Sequence, residues 1–345
     1  MKIIYVGPLL EGCTCLQRKC AMEELGHIIK PVNVDPGATR KKAQTIVRRV
    51  LRKMLIVCDL AGANDQILKA ISESFFDVIW IDKGITIYPD TLKEIKLRSP
   101  DTVIAGYTPD DMNNRGNQSR HLLKGLPLYD IYFTTKSYGV ADLKNLGCPR
   151  VEFIGNAYDS HTHRPIPVSD EIKSALGGAV GFIGQWEKER SESLCFLAES
   201  GIDVRIWGYT WERCKRKPKL LRLENKPLWG DNYARAICAF DINLCFLRKA
   251  NRDLQTTRSI EIPACGGFML AERTNEHLAL FEEGKEAEFF SSNDELLYKV
   301  RYYLLHPDKR AKIAAAGRER CIRSGYSNHE RLKAAMDEII KLRGL

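Results

Sequence analysis

Short apolar, β-branched runs alternate with longer amphipathic stretches from one end of the chain to the other, and this alternation restricts the fold more than any other feature. Strands separated by helices pair in parallel through crossover connections, so the pattern predicts α/β architecture, with parallel sheets covered by helices. The expected strands are residues 3–6, 55–58, 78–81, 102–105, 131–134 and 151–154 in the first half. In the second half they are residues 179–183, 204–207, 241–246, 268–271 and 288–290. Both halves are βα repeats. At 345 residues the chain is about twice an ordinary domain. The stretch from Asn156 to Pro167, with two prolines and several turn formers, predicts the break between two domains. The reading is residues 1–160 and 168–325 as Rossmann-like domains facing across a cleft, with 326–345 a last helix packing back on the first. Ser292-Asn293-Asp294-Glu295 and Ser327-Asn328-His329-Glu330 have the form of capping boxes that start the closing helices.

Several classes are excluded. No apolar run approaches the roughly 20 residues of a membrane span, and Met1-Lys2 leads straight into a strand-like run instead of a signal peptide, so a cytoplasmic protein is expected. Of the 11 cysteines, Cys58, Cys195, Cys238 and Cys245 sit in apolar runs where the thiol packs as a small hydrophobe, and disulfides are not expected. Cys13, Cys15 and Cys20 lack a fourth ligand at a recognised spacing, so no metal site is expected. The net charge is +9, but seven basic residues without an acidic one lie between Arg40 and Lys53. The excess is local, and a nucleic-acid partner is not expected. That segment, residues 40–53, reads as a helix with Ala43, Ile46, Val47, Val50, Leu51 and Met54 on one face. It either packs that face on the neighbouring sheet, makes peripheral contact with an anionic membrane surface, or receives an acidic acceptor.

The stretch Thr256-Thr257-Arg258-Ser259-Ile260-Glu261-Ile262-Pro263-Ala264-Cys265-Gly266-Gly267-Phe268 resembles the signature of spore-maturation-protein-like glycosyltransferases, a branch of the GT-B superfamily. Glu272-Arg273-Thr274, Leu280-Phe281-Glu282-Glu283-Gly284-Lys285-Glu286 and Tyr302-Tyr303-Leu304-Leu305-His306-Pro307 continue the match. Upstream, Lys83-Gly84-Ile85, Thr108-Pro109-Asp110-Asp111, Phe133-Thr134-Thr135-Lys136 and Gly155-Asn156-Ala157 are similar to first-domain landmarks of the same group. The resemblance implies a sugar-nucleotide donor held by the second domain, an unidentified acceptor approached from the first, and no essential metal or other cofactor. Rival expectations are a sugar-nucleotide epimerase or hydrolase on the same fold, and a non-catalytic protein binding polyanions or membranes.

Without a cation, fixed charges must stabilise the departing diphosphate. Gly184 and Gln185 follow a strand and precede a helix, and Lys188 or Arg190 could pair with phosphate. Thr257 is expected to cap a short helix and Arg258 to offer a planar fork to the diphosphate. Glu261 matches the family glutamate that accepts hydrogen bonds from the donor ribose. Asp253 stands where retaining relatives carry a glutamate, which leans towards retention. Trp207 and Gly208, at the end of a strand, are candidates for base recognition, with core packing the alternative for Trp207. Gly7 and Gly12 should line the acceptor side; Asp110 or Asp111 could take the proton of an attacking hydroxyl, the catalytic choice falling on Asp111. His161 and His163 lie in the expected linker and read as hinge or surface residues.

Overall fold

The computed structural model describes residues 1–37 and 46–344. The chain divides into two compact units, the first formed by Met1–Gly155 with Asn328–Leu345 and the second by Asn156–Ser327.

The first unit holds six strands: β1 (Lys2–Gly7), β2 (Ile28–Asn33), β3 (Val78–Asp82), β4 (Val103–Thr108), β5 (Ile131–Thr134) and β6 (Val151–Phe153). All pair in parallel, in the order β2-β1-β3-β4-β5-β6. Both faces are covered, which is why the central strands read as unbroken apolar runs. On one face Ile4, Val6, Ile79, Ile81 and Ile104 pack beneath Ile67 and Ile71 of the helix Ala63–Glu73 and Leu92 and Ile95 of the helix Pro89–Arg98. On the other, Ile3, Tyr5, Trp80 and Phe133 meet Leu332, Ala335, Met336 and Ile339 of the last helix, Asn328–Leu342. Arg343 pairs with Asp77 at 2.5 Å and Arg150 with Glu338 at 2.7 Å, fixing that helix along the sheet.

The second unit holds β7 (Gly178–Ile183), β8 (Val204–Trp207), β9 (Leu221–Leu223), β10 (Phe240–Cys245), β11 (Met269–Glu272) and β12 (Glu288–Phe290). These are again all parallel, in the order β12-β11-β10-β7-β8-β9. Val180, Phe182, Ile206 and Leu244 lie under Leu194 and Leu197 of the helix Lys188–Glu199. On the opposite face Cys245, Met269, Ala271 and Phe289 pack with Ile260 and Ile262. The helix Asn293–Leu304 starts as its sequence predicts: the Ser292 hydroxyl accepts the Glu295 amide at 3.1 Å, and Glu295 Oε2 accepts the Ser291 amide at 2.7 Å.

Three local expectations are corrected. Residues 55–58 form no strand. Leu55 adopts φ 60°, the Ile56 amide returns to the Leu51 carbonyl at 2.8 Å, and the apolar run is the exit of the helix Ile46–Lys53. Its place is taken by β2, whose Pro31 is tolerated because the strand lies at the sheet edge. The short edge strand β9 was likewise not expected from the sequence. Residues 40–45 of the basic segment, with Ala43, lie outside the described residues; Arg52 donates to the carbonyls of Gly116 and Gln118, while Val50 and Met54 are exposed. All 11 cysteines are free. No helix among the described residues is long and apolar enough to cross a membrane.

Candidate functional site

In the second unit β7 and β10 are neighbours, but the chain continues from β7 to β8 and β9 on one side and from β10 to β11 and β12 on the other. Such a reversal opens a crevice at the carboxyl ends of the two strands. Gly184 follows β7 there. Its amide donates to the Trp207 carbonyl and its carbonyl accepts the Trp211 indole N–H, both at 2.8 Å. Gly208, at φ 152°, could not carry a side chain, since a Cβ would stand 1.9 Å from the Gly184 oxygen. A Cβ on Gly184 would fall 2.7 Å from Phe182 Cζ and 3.5 Å from Arg258 Nη1. Two glycines therefore let the ends of β7 and β8 close together and let the Arg258 guanidinium lie beside bare backbone.

Two cations meet at this point. Arg190 is buried and donates to the carbonyls of Gln185 and Leu247, each at 3.1 Å, and to Glu187 Oε2 at 3.2 Å. It thus ties the loop after β7 to the loop after β10 and holds its own site together instead of reaching out to a phosphate. Gln185 is exposed and contributes its backbone carbonyl to that tie. Arg258 lies over the same Phe182 ring as Arg190, at 5.8 Å and 5.4 Å. It makes no hydrogen bond or ion pair to another described residue, and its Nε is buried without a partner. Burial and the charge of Arg258 push the Arg190 guanidinium down to about 10. Lys188 points away on the helix surface, 3.8 Å from Glu192, and joins no such cluster.

Arg258 opens the helix Arg258–Ala264. The expected Thr257 cap is absent: at φ −56° and ψ −38° Thr257 is already helical, and its hydroxyl makes no capping bond. The turn is pinned otherwise. His277 Nδ1 lies 2.6 Å from the Glu272 carbonyl, which can only accept, so the imidazole proton is on Nδ1. Nε2 then accepts the Ser259 hydroxyl at 2.7 Å, and the Ser259 oxygen accepts the Thr256 amide at 3.1 Å. Ser259 and His277 are both fully buried, and desolvation lowers the imidazole pKa, which keeps this relay neutral. Neither was singled out from the sequence; an S-x17-H spacing carries no signal of its own.

Three residues after Arg258, Glu261 is 6% exposed. Its Oε2 accepts the Tyr233 hydroxyl at 2.6 Å, and Oε1 faces His163 Nε2 at 3.8 Å. His163 Nδ1 accepts the Asp159 amide at 2.9 Å, so Nε2 carries the proton directed at Glu261. His163 is not a surface residue: it is buried in a turn built on Asp159, while His161 is exposed. Burial and the Glu261 carboxylate raise the Tyr233 hydroxyl well above its usual range.

Asp253 Oδ2 accepts the Arg248 amide at 3.3 Å, closing the loop after β10, and Arg248 pairs with Glu187 at 3.1 Å. Trp207 takes the packing alternative. It is 2% exposed, its indole N–H donates to the Leu176 carbonyl at 3.0 Å, and Arg205 and Lys226 lie over its ring, leaving no face for a base.

In the first unit Gly7 ends β1, and a Cβ there would stand 3.2 Å from Asp82 Cβ. Gly12, at φ 78°, makes the left-handed turn before the helix Thr14–Glu24. Asp110 pairs with Lys83 at 2.5 Å. Asp111 is buried, and its Oδ1 accepts the Asn113 amide at 2.9 Å, a role internal to its own turn.

Residues 190–337 match a family profile described as "Glycosyl transferase-like". No curated protein is matched. Among solved structures, an alpha-glucosyltransferase (AGT) in complex with UDP is similar over 99% of this chain and 100% of its own, at 14% identity and a TM-score of 0.69. Sucrose-phosphate synthase from Thermosynechococcus elongatus is similar over 100% of both chains, at 11% identity and a TM-score of 0.66. Alr3699/HepE from Anabaena, in complex with UDP and glucose, is similar over 98% of this chain and 100% of its own, at 11% identity and a TM-score of 0.63. The fold is the α/β fold of GT-B glycosyltransferases, with two Rossmann-like units.

Proposed function

We propose that the protein is a glycosyltransferase that moves a hexosyl group from a nucleoside-diphosphate sugar to a hydroxyl-bearing acceptor. The observation that carries this reading is the pair of guanidiniums at the β7/β10 crevice: Arg190 is held by backbone carbonyls and Glu187, and Arg258 beside it has no hydrogen-bond or ion-pair partner among the described residues. Two guanidiniums set together on one ring with Glu187 paired to Arg190 alone leave the Arg258 charge open to an anionic ligand. A diphosphate is such a ligand, and the glycine backbone at Gly184 allows its oxygens close approach.

In the transfer the acceptor oxygen bonds to the anomeric carbon while the bond from that carbon to the β-phosphate oxygen breaks. The electron pair leaves with the diphosphate, and the hydroxyl proton passes to a base on the acceptor side. Arg258 stabilises the growing negative charge, with Arg190 adding field from behind, and no cation is required. Glu261, its two oxygens steadied by Tyr233 and His163, keeps lone pairs for the ribose hydroxyls. The UDP and glucose complexes of structurally similar proteins support a uridine donor as the first to test. The reading includes membership of the spore-maturation-protein-like branch, a retaining outcome, and peripheral contact of residues 40–53 with anionic lipid. Incubation with a panel of nucleoside-diphosphate sugars, followed by product analysis, tests it. Free nucleoside diphosphate plus a glycosylated acceptor is the expected result; a new nucleotide sugar would mean epimerisation, and free sugar alone hydrolysis.

A further inference from the structure

A cavity of about 310 Å³ in the second unit uses none of the residues of the proposed donor site. One wall is the helix Lys188–Glu199, which presents Lys188, Ser191, Glu192 and Cys195 to it. Steps of three, four and seven residues mark a single helix face. Arg190, about 200° round the same helix from Lys188, serves the β7/β10 crevice from another side. The facing wall is the segment after β8, with Arg213, Cys214, Lys215 and Arg216, and Trp186 completes the lining. Cys195 and Cys214 are buried, their sulfurs 3.8 Å apart, so they form the floor. Arg213 and Lys215 are exposed and form the rim.

Residues 213–219 carry five cations and no acidic residue. Not all of that charge is available. Arg216 Nε donates to Glu199 Oε1 at 3.1 Å, and Lys188 faces Glu192 at 3.8 Å. The side chains of Arg213 and Lys215, in contrast, make no hydrogen bond or ion pair to another described residue. The Arg213 guanidinium lies 6.0 Å from the centre of the Trp186 ring, which keeps this cation at the cavity instead of extended into water. A merely solvated run of basic residues needs neither a cavity nor an aromatic ring beneath it.

We infer that this cavity binds a small phosphomonoester, with the phosphate between Arg213 and Lys215 and an apolar or aromatic body against Trp186 and the two thiols. Two open cations match a dianion, and the Arg213 fork offers paired N–H donors to phosphate oxygens. A volume near the lower end of ligand pockets admits a small molecule and not a polymer. Burial and the neighbouring Cys214 push the Cys195 thiol up to about 12, so this part of the floor stays neutral and suits the uncharged end of the ligand. The site does not depend on the transferase reading, since binding there involves no reaction.

The test uses the full chain with phenyl phosphate as the probe, and with inorganic phosphate and phenol as its two halves. Indole N–H signals are followed by proton–nitrogen correlation NMR; the Trp186 signal is the one of five that Trp186→Phe removes. Phenyl phosphate is expected to move that signal saturably, with each half binding at least about tenfold more weakly. The double variant Arg213→Gln with Lys215→Gln should weaken the probe about tenfold or more, whereas Arg258→Ala should leave its binding unchanged. Both replaced side chains are exposed and unpaired among the described residues, so the double variant should melt as the wild type does. No saturable movement, a half that binds as well as the whole, or undiminished binding in the double variant overturns the proposal. Loss of binding in Arg258→Ala overturns it too, by placing the probe in the donor crevice. Absence of a melting shift with UDP counts against the donor reading instead and leaves the phenyl phosphate result to stand by itself.

Discussion

Replacing Arg258 by Ala separates a ligand-binding cation from a structural one, because the two roles predict opposite effects on the free protein. Arg258 has no ion pair to lose among the described residues, and it sits over the same ring as Arg190. Its removal relieves like-charge repulsion, so the melting temperature of the ligand-free protein should stay level or rise. Nucleoside-diphosphate binding should fall, since one or two charge-assisted hydrogen bonds at about 1.5–3 kcal/mol each are lost. Taking about 2 kcal/mol, affinity drops roughly thirtyfold. Ligand present at 100 times the wild-type dissociation constant stabilises the wild type by about 2.7 kcal/mol and the variant by only about 0.9 kcal/mol. Calorimetry gives the affinity and differential scanning fluorimetry the two melting shifts. Unchanged nucleotide affinity, or a ligand-free protein destabilised as if a salt bridge had been cut, would refute the reasoning.

Gly208→Ala should lower unfolding stability by at least about 2 kcal/mol in urea titration, because the new methyl collides with the Gly184 carbonyl at a backbone angle that disfavours side chains. Ser259→Ala removes the acceptor of the Thr256 amide and the donor to His277; a loss of about 1–3 kcal/mol is expected, with weakened nucleotide binding as the turn before Arg258 loosens. The Arg273 hydrogen bond holds Glu295 down to about 2 from the usual 4.5. Its contribution is complete above pH 4.5 and is lost as the pH falls towards 2, so acid titration should destabilise the wild type more than Arg273→Met. Equal acid sensitivity of the two would remove that assignment.

The central strands were legible because burial on both faces writes itself as an uninterrupted apolar run, as in Val78-Ile79-Trp80-Ile81. Edges were not. In β2 only Val32 is buried and a proline interrupts the run, whereas 55–58 is apolar without being extended. At the site, Gly184, Arg258 and Glu261 were readable as residue types in a familiar order. Their supports were not, because Tyr233, His163, Ser259 and His277 act through contacts made by distant stretches of chain. Trp207 shows the converse: an aromatic residue at a strand end looks the same in sequence whether its faces are open or, as here, covered by Arg205 and Lys226.

The last helix belongs to the unit that is made first. On the ribosome, the continuous segment Asn156–Ser327 has every residue it needs before the helix Asn328–Leu342 emerges, whereas the earlier unit must wait for that helix. Until then Ile3, Tyr5 and Trp80 lack the cover of Leu332, Met336 and Ile339. A truncation that removes this helix would therefore damage the amino-terminal unit while sparing the unit beside the cut.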